Sequence, residues 1–169
     1  MRIDLPADGL VVLVGVAGSG KSTLAARLFR PGAILSSDDF RELVSGNPAD
    51  QTATDDAFAL LHAALGMRLA RGLLSVVDAT NVQRWARAEL LDVARRHARR
   101  AAAIVLDLPL ALCLERNAGR AAGHVPAAAI RRQHRALRGS LAGIETEGFS
   151  AVHRLTEAAT VDRVQVALA

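Results

Sequence analysis

Residues Gly15, Val16, Ala17, Gly18, Ser19, Gly20, Lys21 and Ser22 fit the pattern G-x-x-x-x-G-K-[ST] without a gap. A backbone that turns on glycines aims successive N–H groups at phosphate oxygens, and a helix beginning at its end adds a positive N-terminus. Lys21 then reaches the β- and γ-phosphates, while the Ser22 hydroxyl, with Thr23 beside it, supplies an oxygen ligand for Mg²⁺. One count singles out this lysine. All but one of the 21 basic residues are arginine, and the exception is Lys21. An arginine fork does not replace a compact ammonium on a flexible stem. An ordinary glycine turn would not need that ammonium, so the expected chemistry is binding of ATP with Mg²⁺.

Transfer of the γ-phosphate to a hydroxyl needs a carboxylate that orients the acceptor and takes its proton. Asp38, in the run Ser36-Ser37-Asp38-Asp39-Phe40-Arg41, is the candidate, with Asp39 as second choice. Arg41 lies three residues on, so one helical turn puts it on the same side, ready for a substrate phosphate. The plain alternative is that Ser37 or Asp38 merely caps a helix. Asp78 stands where a strand-end acid would hold magnesium-bound water. Thr80 and Asn81 follow it, either contacting the acceptor or making a turn. Arg116 and Arg120, four apart, are expected on one helix face, ahead of a flexible stretch at 121–124. Arginines on such a lid would stabilise charge on the transferring group.

These residues need a scaffold that brings them to one edge. Short apolar runs at 10–14, 33–36, 73–77 and 101–106 read as buried strands, with a fifth at 151–155. Helical patterns at 22–29, 38–44, 52–71, 84–99, 110–120, 127–138 and 158–168 alternate with them. The expected fold is α/β, a P-loop NTPase architecture with a parallel sheet of about five strands flanked by helices and a helical lid near 115–130. Ligands in such sheets bind at the carboxyl ends of the strands, where the polar residues named above fall. One domain over 1–169 is expected, because a chain of this length holds a single core.

Composition narrows the partners. A charge of +4 and a pI near 10.8 suit a polyanion without requiring one. The clusters Arg95, Arg96, Arg99, Arg100 and Arg131, Arg132, Arg135, Arg138 read as solvated helix faces, the second being better placed for a phosphate backbone. No interleaved aromatics suggest base stacking, and Trp85, Phe40, Phe58 and Phe149 read as core or interface. The five histidines lack metal-ligand spacing. The lone Cys113 reads as a small apolar helix residue, as in a reducing cytosol. With no long apolar run and no signal peptide, a soluble cytoplasmic protein without membrane contact is expected.

Several of these stretches together resemble a known family. Gly15–Ser22, Ser36-Ser37-Asp38-x-x-Arg41, Asp50-Gln51-Thr52, Val76-Val77-Asp78-Ala79-Thr80-Asn81 and Glu115-Arg116-Asn117 are similar to the kinase module of bacterial polynucleotide kinase-phosphatases, from about Leu10 to Leu155. The resemblance implies an ATP-dependent 5′-hydroxyl polynucleotide kinase of the adenylate-kinase type, acting on RNA or DNA ends. It implies that Lys21 and Ser22 serve ATP and Mg²⁺, that Asp38 is the general base, and that Arg41 contacts the acceptor phosphate. It also implies lid roles for Arg116 and Arg120 and acceptor contacts from Gln51 and Thr80. The family's lid often carries a further arginine near position 123, where this chain has Gly123 and His124. Phosphatase and ligase activities, which accompany the module in that family, are expected from partners or other modules.

Two other readings compete. A small-molecule kinase for a sugar acid, nucleoside or antibiotic would share the P-loop, base and lid and differ at the acceptor pocket. A nucleotide-dependent switch without efficient turnover would not need Asp38 beside Arg41.

Overall fold

The computed structural model describes residues 1–121 and 123–169; Ala122, inside the expected lid, lies outside the described residues. The first half runs β1 (Arg2–Leu5), β2 (Leu10–Gly15), α1 (Lys21–Leu28), β3 (Ile34–Ser36), α2 (Ser37–Ser45), α3 (Thr54–Ala70) and β4 (Ser75–Asp78). The second half runs α4 (Arg84–Arg96), β5 (Ala101–Leu106), α5 (Leu110–Ala118), α6 (Ala127–Ser140), β6 (Ala151–Leu155), α7 (Ala158–Arg163) and β7 (Gln165–Leu168).

β2 and β5 are buried at every residue, which explains their uninterrupted apolar sequences LVVLVG and AAAIVL. They form the centre of a five-stranded parallel sheet in the order β3-β4-β2-β5-β6. Register aligns the strand ends that matter: Leu13 pairs with Asp78, Ser36 with Asp78, and Gly15 with Leu106. Helices cover both faces and close one apolar core that includes Leu61, Leu65 and Leu69 of α3 and Leu90 and Leu91 of α4. Among the described residues no helix is long and apolar enough to cross a membrane.

Four sequence expectations change. The helix expected over 158–168 stops at Arg163, and β7 then pairs in parallel with β1, which had not been expected. Each is a four-residue strand, too short for a period to declare itself, and its partner lies at the opposite end of the chain. The helix expected to 99 ends at Arg96, and Arg99 instead binds Asp8 and the Leu69 carbonyl. The helix expected to 120 ends at Ala118, so Arg120 sits beyond it rather than one turn above Arg116. Of the two places expected for Trp85, core or interface, its 65% exposure rules out the core.

Candidate active site

The loop after β2 is shaped by its glycines. Gly18 (φ 81°) and Gly20 (φ 96°) occupy the left-handed region, which β-carbons resist. A Cβ on Gly18 would stand 2.1 Å from the Cys113 carbonyl oxygen of α5, and one on Gly15 2.7 Å from Ser19 Oγ. Gly20 then starts α1 with no side chain capping its amides, so those N–H groups are open to an anion.

Lys21 is buried, and its Nζ donates to the Val16 carbonyl at 2.9 Å. Burial pulls its pKa from the usual 10.5 to about 8; Asp78 and, more weakly, Asp38 oppose the shift, while Arg120 adds to it. Lys21, Asp78, Asp38 and Arg120 therefore share one electrostatic neighbourhood, although they come from four separate parts of the chain. Among the described residues Ser19 Oγ is buried without a hydrogen-bond partner. An orphaned hydroxyl, a glycine cradle and a buried ammonium fit a polyphosphate. The Ser22 hydroxyl and the Asp78 carboxylate, adjacent to each other, fit the Mg²⁺ that accompanies it. Burial raises the pKa of Asp78, and Ser22 and Lys21 pull it back.

Ser36, at the end of β3, accepts the Asp39 N–H and caps α2. Capping thus falls to neither Ser37 nor Asp38. Asp38 is left with its side chain 71% exposed, paired at 2.5 Å with Arg41, whose own side chain is 11% exposed. The Arg41 Nε donates to Thr54 Oγ1 at the start of α3. Gln51 precedes that helix on an exposed 3-10 turn, its Nε2 donating to the Ala49 carbonyl.

The segment after β4 divides its work. The Thr80 carbonyl accepts the Gly15 N–H at 2.9 Å, joining it to the P-loop. Asn81 is buried with φ 47°, and its Nδ2 donates to the Leu13 and Ala79 carbonyls. Its side-chain donors hold the turn rather than reach for an acceptor. Arg87 was not singled out by the sequence, yet it is fully buried: it bonds the Asn81 carbonyl and Ser140 and pairs with Glu147 at 2.6 Å. The sequence signal was weak, an arginine on the apolar side of a helix.

Arg116 and Arg120 line a cavity of about 300 Å³ with Gly18, Gly20 and Thr23 on one side and Val161 and Asp162 of α7 on another. A Cβ on Gly20 would lie 3.6 Å from Arg116 Nη1, so that guanidinium sits over the loop. Buried Asn117 exchanges two hydrogen bonds with Val125 and fixes the connection from α5 to α6. Gly123 (φ 69°) has nothing within 4 Å of where a Cβ would be, and its carbonyl accepts from Arg120.

The pattern of the family described as "AAA domain" matches residues 10–141, more than half of the chain. A chain of the Pnkp1/Rnl/Hen1 RNA repair complex overlays with a TM-score of 0.69 at 22% identity, covering 82% of this chain and 46% of that one. This chain therefore spans less than half the length of that repair-complex chain. A gluconokinase from Sinorhizobium meliloti 1021 overlays at 0.55 with 23% identity, over 94% of this chain and 87% of that one. The Mycobacterium tuberculosis APS kinase CysC, in complex with AMPPNP and APS, overlays at 0.58 with 19% identity, over 94% and 93%. At such identities the likeness is one of fold. No curated protein matches the sequence.

Proposed function

The chain belongs to the AAA domain family, and on that premise we propose that it is an ATP-dependent kinase transferring the γ-phosphate to the 5′-hydroxyl of an RNA or DNA strand. The observation that carries this reading is the placement of Asp38. It lies close enough to Lys21 and Asp78 to act on their pKa values, yet its side chain is 71% exposed and paired with Arg41. Small-molecule sites bury most of their ligand. A carboxylate open to solvent beside a phosphate-binding arginine suits the end of a strand whose remainder projects outward. The overlay on a chain of an RNA repair complex supports the same reading.

In this mechanism Asp38 orients the acceptor hydroxyl and takes its proton while the new O–P bond forms and the γ-phosphate leaves the β-phosphate. Arg41 holds the acceptor's first phosphate. Lys21, Arg116 and Arg120 stabilise charge spread over the transferring group. Ser22 and Asp78 would hold Mg²⁺, which when bound neutralises phosphate charge.

A small-molecule acceptor is the second reading. It is favoured by the overlays on the gluconokinase and the APS kinase, which run nearly end to end in both chains. The deciding experiment offers labelled ATP and Mg²⁺ with a 5′-hydroxyl oligonucleotide or with gluconate, using wild type and Asp38→Asn. Label on the oligonucleotide, reduced by roughly 10²- to 10⁴-fold in the variant, is the expected result. Label on gluconate alone would replace the polynucleotide reading with the second.

A further inference from the structure

Trp85, the second residue of α4, has 65% of its surface exposed and is the only tryptophan in the chain. Single exposed apolar residues are ordinary; this one flanks a groove of about 710 Å³ between α4 and α6. The opposite wall holds Ala136 and Gly139 of α6 and Gly143 of the 3-10 segment that follows it, small residues that leave a slot. The groove's one acid, Glu147, is neutralised by buried Arg87. Exposed Arg84 adjoins Trp85, and exposed Arg132 and Arg135 precede Ala136 and Gly139 by one turn on the same face of α6. Aromatic surface and the charge of Arg84 thus share one cleft, and Arg132 and Arg135 lie one turn from its α6 wall; among the described residues none of the three has an acidic partner. The cleft's near end follows the Thr80 carbonyl, which is bonded to Gly15 of the P-loop, by five residues or at most roughly 18 Å of chain.

We propose that this groove is an extended acceptor subsite, in which a nucleobase downstream of the 5′ end stacks on the Trp85 indole while Arg84, Arg132 and Arg135 track the phosphates. The inference rests on the polynucleotide reading above and deepens it: the substrate is single-stranded and several nucleotides long. Stacking serves every base, so length rather than sequence sets affinity.

The test measures KM for a 5′-hydroxyl dinucleotide and for an oligonucleotide of about eight nucleotides, in wild type, Trp85→Ala and Trp85→Phe. Wild type is expected to favour the longer strand by roughly tenfold to a hundredfold in KM. Trp85→Ala erases most of that preference with kcat little changed, and Trp85→Phe keeps much of it. Fluorescence from the sole tryptophan should also be quenched by the longer strand. Wild type that labels both strands with equal KM, or a Trp85→Ala enzyme that keeps the full preference, overturns the subsite alone and leaves the groove to another partner, such as a protein. Wild type that labels neither strand overturns the polynucleotide reading with it.

Discussion

Gln133 of α6 accepts the backbone N–H of Ala17 at 2.9 Å, so a helix 116 positions away holds the P-loop. The same helix follows Val125, which Asn117 clamps to α5, the helix carrying Arg116. The placement of α6 against α5 and the shape of the P-loop are thereby joined through one side chain. Removing the acceptor leaves a partly buried N–H unpaired, at a cost of about 1–3 kcal/mol. Gln133→Met keeps the bulk and loses the oxygen. It should raise KM for ATP by roughly tenfold, the equivalent of 1.4 kcal/mol, and barely affect the acceptor's KM. Equal ATP kinetics in variant and wild type would show that the loop holds its shape without α6.

Arg87 and Glu147 form an ion pair with both side chains at or below 4% exposure. Truncating one member strands a buried charge, so Arg87→Ala or Glu147→Ala should each cost about 3–5 kcal/mol of stability by denaturant unfolding. The double variant Arg87→Met with Glu147→Leu should recover most of that loss, because well-packed apolar replacements remove the desolvation penalty as well. Single-variant losses under about 1 kcal/mol would mean that the pair behaves like a surface bridge.

Lys21 gives the site a pH signature. Its pKa is lowered to about 8 by burial in the free protein, and triphosphate oxygens would raise it again. A group whose pKa rises on binding favours binding below its free value and loses that contribution as pH climbs through and above it. Affinity for a non-hydrolysable ATP analogue should therefore be full below pH 8 and fall above it. Near pH 8 about half a proton is taken up per nucleotide bound, measurable by calorimetry in buffers of different ionisation heat. The free protein has the opposite slope. The unfolded lysine holds its proton to higher pH than the folded one, so the penalty of burying its charge is relieved, and stability rises, as pH climbs from about 8 to 10.5. Affinity that stays flat from pH 7 to pH 10 would mean that the ammonium does not meet phosphate.

The strand–loop–helix around Gly15–Ser22 was legible because one local pattern dictates both its conformation and its chemistry. The central strands were legible because full burial demands unbroken apolar runs. Arg87, Gln133 and the β1–β7 pair were not, since each draws its meaning from a partner 60 or more positions away. Asn81 was legible only as an alternative: acceptor contact and turn both suit the residue, and its bonds to Leu13 and Ala79 put it in the turn. The pattern predicts Arg120 on a helix that ends two residues before it, yet it still lines the cavity of about 300 Å³ beside Gly18 and Gly20.

Under the proposed reaction, Arg41 is the residue that would separate acceptor binding from chemistry. In the free protein it pairs with Asp38 and bonds Thr54, so an acceptor phosphate arriving there would meet a guanidinium already fixed in direction. In the proposed reaction, a phosphate that took the guanidinium would release the Asp38 carboxylate toward the acceptor hydroxyl. Arg41→Lys keeps charge but loses the fork that serves Asp38 and Thr54 together. It should raise KM for a 5′-hydroxyl oligonucleotide by roughly tenfold to a hundredfold, consistent with about 1.5–3 kcal/mol for a charged hydrogen bond. KM for ATP should stay within about twofold, a change below 1 kcal/mol. Arg41→Ala should add a fall in kcat, because the base then loses its orienting partner. Steady-state kinetics with each substrate varied in turn makes the comparison. A rise in KM for ATP equal to that for the strand would place Arg41 on the donor side and break its assignment to the acceptor.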